Sequence, residues 1–234
     1  MNALVVVPTY NERDNLPVVV RGILAHEGFR VLVVDDGSPD GTGQIADELA
    51  AAHPGRVDVL HRTGQRGLGR SYVEGLQRAL ASNADLIFQM DADLSHNPEY
   101  LPALADAARH FDVVIGSRYL HGVSVVNWPL HRLFLSAFAN RYIRAVTGLS
   151  PRDCTSGFRC WRHASLAKIP LNRVFSDGYA FLVEMLFHAA RTGSRMGEVP
   201  IIFVERRQGE SKISSTVLIE SLITPWRLRL SSHR

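Results

Sequence analysis

ALVVV at residues 3–7 and VLVVD at residues 31–35, with an amphipathic stretch over 15–26 between them and a second over 41–52, decide the fold. Runs of β-branched residues without in-and-out alternation predict strands buried on both faces. Helical segments of ten residues or more between them predict parallel crossovers, so the start reads βαβα. Working outward, VDVLH (57–61), a helix over 68–81, DLIFQM (85–90), a helix over 98–110 with Pro98 in its first turn, and DVVIG (112–116) continue the rhythm. Five such strands predict a mainly parallel, doubly wound α/β sheet covered by helices. Past residue 120 the alternation gives way to helical patterns over 128–146 and 178–191, and to a strand over 198–205.

With 234 residues, 46% hydrophobic content and no repeat, the chain is expected to form one domain. Lys+Arg 26 against Asp+Glu 23 tolerates an anionic partner without demanding one and gives no ground for nucleic-acid binding. Cys154 and Cys160 have neither a pairing framework nor metal-ligand spacing, so they read as buried thiols of a reducing compartment. The amino terminus enters LVVV without a basic region or cleavage site, which predicts a cytoplasmic protein. A membrane-spanning helix needs about 20 mostly apolar residues, but the segments 123–135 and 213–230 are broken by charges and prolines. Membrane contact is therefore expected to be peripheral.

Ligands of such a sheet gather at the carboxyl ends of the strands. Pro8-Thr9-Tyr10, Asp35-Asp36, Asp91-Ala92-Asp93 and Gly116-Ser117-Arg118 all fall there. Asp91 and Asp93 offer paired hard oxygens that suit Mg²⁺ or Mn²⁺ bridging a diphosphate, and they equally suit capping of the helix near Pro98. Asp36, followed by GSPDGT, could reach a nucleoside or simply belong to a turn in which Asp40 or Thr42 caps the next helix. No G-x-G-x-x-G fingerprint follows the first strand, Gly67-Leu68-Gly69 is a weak phosphate signal, and no nucleophile elbow or histidine metal spacing is present. Arg118, Arg132, Arg206 and Lys212 could hold anionic oxygens or lie solvated at the surface. Trp128, Leu130, Phe134 and Phe138 alternate with Arg132, Arg141 and Arg144, as do Leu222, Trp226 and Leu230 with Arg227 and Arg229. Each stretch reads as a lipid-interface helix or as a packed helix with one wet face.

VVVPTYNERDNLP (5–17), VLVVDDGSPDGT (31–42), GLG (67–69) before a helix, MDADLSHNP (90–98), GSRY (116–119), SGFR (156–159), GEVPI (197–201) and ERRQGESKIS (205–214) together resemble the polyprenyl/dolichyl-phosphate mannosyltransferases. These are inverting family-2 glycosyltransferases of GT-A fold. The resemblance runs in order from residue 3 to about 216. It implies a nucleotide-sugar-binding half over about 1–118 and an acceptor and membrane-interface half over about 119–234. Pro8, Tyr10, Glu12, Val34 and Asp36 would line the nucleoside pocket. Asp91, Ala92 and Asp93 would contact the donor diphosphate and its metal, with Arg206 and Lys212 closing over it. Arg118, Arg132 and Ser136 would take the acceptor phosphate, so that Asp91, Asp93, Arg118 and Lys212 form the implied catalytic set. Ser95 stands where some members carry a glutamine metal ligand, leaving its hydroxyl or water to complete the shell. The implied reaction moves mannose from GDP-mannose to polyprenyl or dolichyl phosphate at the cytoplasmic face of a membrane. Because the sequence ends without the span some members have, a small membrane anchor subunit or the interfacial helices would supply attachment. A UDP-glucose:polyprenyl-phosphate glucosyltransferase would share fold, metal motif and acceptor. A non-catalytic, membrane-associated nucleotide-sugar-binding subunit would not need the metal motif, the arginines and the GESK loop together.

Overall fold

The computed structural model of the protein describes residues 1–126, 128–176, 178–204 and 215–231. A parallel ladder is built first, from β1 (Ala3–Thr9), β2 (Phe29–Asp35), β3 (Val57–His61) and β4 (Leu86–Gln89). Helices α1 (Leu16–Leu24), α2 (Thr42–Ala52) and α3 (Leu68–Leu80) make the crossovers. Every residue of β1 is buried, as a strand covered on both faces must be. Alternate residues feed two cores: Leu4 and Val6 pack with Leu32, Val34, Tyr72 and Leu76 on one face, while Val5 and Val7 pack with Val31, Val33, Leu16 and Val20 on the other. Gly75 lets α3 sit close to the sheet, since a Cβ there would lie 2.5 Å from Val6 Cγ1 and 2.8 Å from Val34 Cγ2.

The sheet is larger than the five predicted strands. It has seven, in the order β3-β2-β1-β4-β7-β5-β8, where β5 is Val113–Ser117, β7 Arg159–Arg162 and β8 Met196–Pro200. The strand missing from the sequence reading, β7, runs antiparallel between β4 and β5, which do not pair with each other. Between β4 and β5 the expected helix over 98–110 is a 3-10 turn, Pro98–Tyr100, leading into α4 (Leu101–Ala107). A short second sheet pairs β6 (Val125–Val126) with β9 (Phe203–Val204), so the strand expected over 198–205 is divided between β8 and β9, with Glu205 outside the described residues.

Helix α5 (Leu130–Thr147) starts after Pro129 and closes on Gly148 in the left-handed conformation. After β7 come α6 (His163–Leu166) and α7 (Gly178–Arg191), which matches its predicted span, and α8 (Ser215–Ser231) follows β9. Leu130, Phe134 and Phe138 on α5 are 63–70% exposed, and Leu222, Trp226 and Leu230 on α8 are exposed as well. The two helices touch, with the Tyr142 hydroxyl donating to the Leu222 carbonyl at 2.7 Å. Among the described residues no helix is long and apolar enough to cross a membrane.

Candidate active site

The carboxyl ends of β2, β1 and β4 lie side by side, that of β5 follows one strand further on beyond the antiparallel β7, and their following residues come to one rim. At the β1/β2 end, Asp36 N–H donates to the Thr9 carbonyl at 3.0 Å. The Asp36 carboxylate accepts from Gly67 N at 2.9 Å and from the buried Arg62 guanidinium. Arg62 also donates to Ser71 Oγ at 3.1 Å and Glu74 at 2.8 Å. Burial alone would lower its pKa, but Glu74 and Asp36 outweigh that and raise it. Arg66 stacks over the Tyr10 ring at 4.7 Å and donates to its hydroxyl at 2.7 Å. Glu12 accepts from Asn15 Nδ2 at 2.7 Å, while its own N–H donates to Thr42 Oγ1. Tyr10, Glu12 and Asp36 thus share one wall, while Pro8 lies buried within β1, paired in register with Val34. The Val34 side chain does not join them: it is buried beneath α3, and only its backbone reaches the rim, where the carbonyl accepts from Thr9 Oγ1 at 3.4 Å.

At the β4 end Asp91 is partly exposed, and Ala92 and Asp93 are buried. Asp91 Oδ1 accepts from the Tyr72 hydroxyl at 2.8 Å, and Asp91 N–H donates to His96 Nδ1 at 3.2 Å. Leu94 adopts a left-handed φ of 63°, unusual for a branched side chain. That turn folds Ser95 back so that its N–H (3.1 Å) and hydroxyl (2.5 Å) both reach Asp93 Oδ1. Gly157 backs the pair, because a Cβ there would stand 3.2 Å from Asp91 Oδ2. The Gly157 turn is carried by β7, whose antiparallel sense puts its first residue, Arg159, opposite Gln89 at the end of β4. Arg159 is fully buried and donates only to carbonyls, of Ser156, Leu182 and Cys154. Burial lowers its pKa to about 10. Among the described residues no third His, Cys, Asp or Glu joins Asp91 and Asp93 in a metal-holding cluster.

At the β5 end Arg118 is buried in a bidentate pair with Asp153, Nε to Oδ2 and NH2 to Oδ1 both at 2.7 Å, with a third bond to Thr155 Oγ1 at 2.8 Å. Burial would raise the Asp153 carboxyl, but the Arg118 charge and hydrogen bonds hold it below the usual carboxylate range. The Arg118 guanidinium also faces Tyr119, Trp128 and Phe203 at 5.4–5.6 Å, and Arg132 sits 4.4 Å over the same Trp128 ring. Ser136 accepts from the Tyr119 hydroxyl at 2.7 Å. The three residues assigned by resemblance to the acceptor, from two separate elements, therefore meet around Tyr119 and Trp128. His96, stacked on Phe158 and edge-on to Phe203, bridges this cluster to the carboxylate pair. Arg206 and Lys212 lie outside the described residues. Sequence reasoning missed Tyr72, Asp153, Arg62 and Trp128's contact with both arginines. Only Trp128 carried a signal, as an aromatic among arginines. A crevice of about 600 Å³ at the opposite end of the sheet, lined by Asp85, Asp112, Arg162 and Lys168, shares no residue with this rim.

A mainly parallel sheet with an aspartate pair at one strand end and paired arginines a strand away has the form of a nucleotide-sugar transferase of GT-A type. The chain belongs to glycosyl transferase family 2, whose sequence pattern matches residues 4–169. It is 46% identical to a polyprenol monophosphomannose synthase of Mycolicibacterium smegmatis over 97% of this chain and 87% of that one. It is also 46% identical to an undecaprenyl-phosphate mannosyltransferase of Micrococcus luteus over 100% of this chain and 96% of that one. Among solved structures, glucosyl-3-phosphoglycerate synthase from Mycobacterium tuberculosis, crystallised with Mn²⁺, UDP and its product, superposes with a TM-score of 0.71 at 18% identity, covering 98% of this chain and 80% of that one. At that identity the likeness concerns the fold.

Proposed function

We propose that the chain transfers mannose, with inversion, from GDP-mannose to a polyprenyl phosphate at the cytoplasmic face of a membrane, yielding a lipid-linked mannose donor. The observation that carries this reading is the meeting of three surfaces. The Asp91/Asp93 pair adjoins the Arg118–Trp128–Arg132 cluster, and that cluster opens beside the exposed apolar row Leu130, Phe134 and Phe138 of α5. A nucleotide-sugar carrying a diphosphate and an acceptor joining a phosphate to a hydrocarbon tail suit that combination, and both relatives are named for a polyprenyl phosphate or its mannosyl product.

The donor set fits a hard divalent cation, Mg²⁺ or Mn²⁺, since the paired side chains of Asp91 and Asp93 supply carboxylate oxygens. Bound there, such a cation would neutralise charge gathering on the departing diphosphate. The wall of Tyr10, Glu12 and Asp36 would hold the nucleoside, and Arg206 and Lys212 the diphosphate. Arg118, fixed by Asp153, and Arg132, resting on Trp128, would orient the acceptor phosphate with Ser136. A phosphate monoester has a second pKa near 6, so the nucleophile is largely dianionic at neutral pH and needs no protein base. Each buried CH₂ of a polyprenyl tail favours the bilayer over water by about 0.8 kcal/mol, so the acceptor stays in the bilayer and α5 and α8 would bring the protein to it.

The test is a donor panel. With radiolabelled GDP-mannose and UDP-glucose offered in parallel to a short-chain polyprenyl phosphate, transfer from GDP-mannose alone is expected, and it should be lost in Asp93→Ala. Transfer from UDP-glucose in preference would replace mannose by glucose. Binding of either donor without turnover would make the chain a carrier subunit.

A further inference from the structure

Tyr72 of α3 carries a hydroxyl into the core beneath the aspartate pair. Its ring is fully buried, packed in the core with Leu4, Val6 and Leu76 and stacked on Phe181 of α7 at 5.7 Å with planes 4° apart. Phenylalanine would fill that volume equally well, and a buried hydroxyl left unpaired is destabilising. The hydroxyl is accounted for by one contact, Asp91 Oδ1 at 2.8 Å.

Asp91 is otherwise held from two sides, by His96 Nδ1 at its own N–H and by Gly157 against Oδ2, where no side chain intrudes. One oxygen points to Tyr72 and the other to the Gly157 side. A second hydroxyl does the same service for the partner carboxylate, since Ser95 donates both N–H and O–H to Asp93 Oδ1. A serine hydroxyl whose proton is directed into Asp93 acts through that carboxylate.

We propose that Tyr72 and Ser95 are positioning residues for the divalent cation, each clamping one carboxylate oxygen through a hydroxyl hydrogen bond so that Asp91 and Asp93 meet the metal in a fixed orientation. The inference rests on the reading of Asp91 and Asp93 as metal ligands. It gives α3, which the sequence marks only as a crossover helix, a part in setting metal affinity, and it moves Ser95 from the metal shell to its support. Residues that orient metal ligands in this way typically contribute 10- to 100-fold in affinity.

The experiment is calorimetric titration of MnCl₂ into the protein saturated with GDP, for the wild type, Tyr72→Phe, Ser95→Ala and Asp93→Ala. Tyr72→Phe and Ser95→Ala are each expected to weaken Mn²⁺ binding by about 10-fold or more. The metal concentration giving half-maximal transfer should rise by the same factor, and the rate should recover at saturating Mn²⁺. A general packing defect would instead lower the rate at every metal concentration. Asp93→Ala is expected to abolish the binding heat. If it binds Mn²⁺ like the wild type, the metal reading of the pair fails. If Asp93→Ala loses the metal while Tyr72→Phe keeps wild-type affinity, the metal reading stands and the role of Tyr72 is overturned. Should Tyr72→Phe not fold, Ser95→Ala, which removes a single oxygen, decides: wild-type Mn²⁺ affinity there overturns the proposal.

Discussion

Replacing Asp153 by Asn isolates the charge that holds Arg118. The carboxylate is inaccessible to solvent and receives the Arg118 backbone N–H at 3.0 Å as well as both guanidinium edges at 2.7 Å. Asparagine keeps the shape and one acceptor oxygen but leaves a buried guanidinium without its counter-charge. Breaking a buried pair by removing one partner costs about 3–5 kcal/mol, and the retained acceptor favours the lower end, about 3 kcal/mol. For a chain of this size each kcal/mol lowers Tm by about 2–4 °C, so thermal melts at neutral pH should show a fall of roughly 6–12 °C. The pH dependence has a definite sign. The Asp153 carboxyl is depressed in the fold, so its contribution is fully present above the unfolded value of about 3.9 and is lost as pH falls through the lower folded value. The gap between wild type and Asp153→Asn should therefore be constant from neutral pH down to about 5 and narrow below about 4. Because Arg118 would lose its orientation, the KM for polyprenyl phosphate should rise while donor KM holds. A Tm within about 2 °C of wild type, together with an unchanged acceptor KM, would refute the claim that Asp153 fixes Arg118.

Gly75→Ala should lower stability by about 1–3 kcal/mol in urea unfolding, because its Cβ would enter the packing between α3 and Val6 and Val34 on β1 and β2. Cys154 and Cys160 should resist iodoacetamide in the folded protein and react on unfolding, since both are buried and burial pushes the Cys154 thiol to about 12 and Cys160 higher still. Replacing the exposed Phe134 and Phe138 by Asp should leave Tm nearly unchanged but weaken sedimentation with anionic vesicles by at least about 10-fold, as burying each ring in lipid is worth about 1.5–3 kcal/mol.

The parallel half of the sheet was legible because β1, β2 and β4 are continuous apolar runs with helices between them, and the rim residues follow from where those runs stop. Strand β7 was not legible. RCWR is four residues long and begins with an arginine that is nevertheless fully buried, satisfied by three carbonyls that no local pattern announces. Asp153 and Arg62 were hidden for a related reason: each matters through a partner 26–35 positions away, and a lone charge in a loop looks like solvent chemistry. Tyr72 sits at a core position of an amphipathic helix, where its ring explains it and its hydroxyl goes unnoticed. Val34 is the converse case: its side chain lies in the core, so the pocket position that the resemblance gives it would be met by its backbone.

The insertion of β7 between β4 and β5 also bears on how the chain comes to be folded as it leaves the ribosome. A nascent chain ending near residue 118 carries β4 and β5 but no ladder between them, so each presents an unpaired edge. At that stage Asp91 lacks the Gly157 wall and Arg118 lacks Asp153. Both lie on the same stretch, residues 153–162, which also carries β7 between the two strands. The aspartate turn and the arginine are thus completed by one segment, and a chain that stops short of it has the full surroundings of neither.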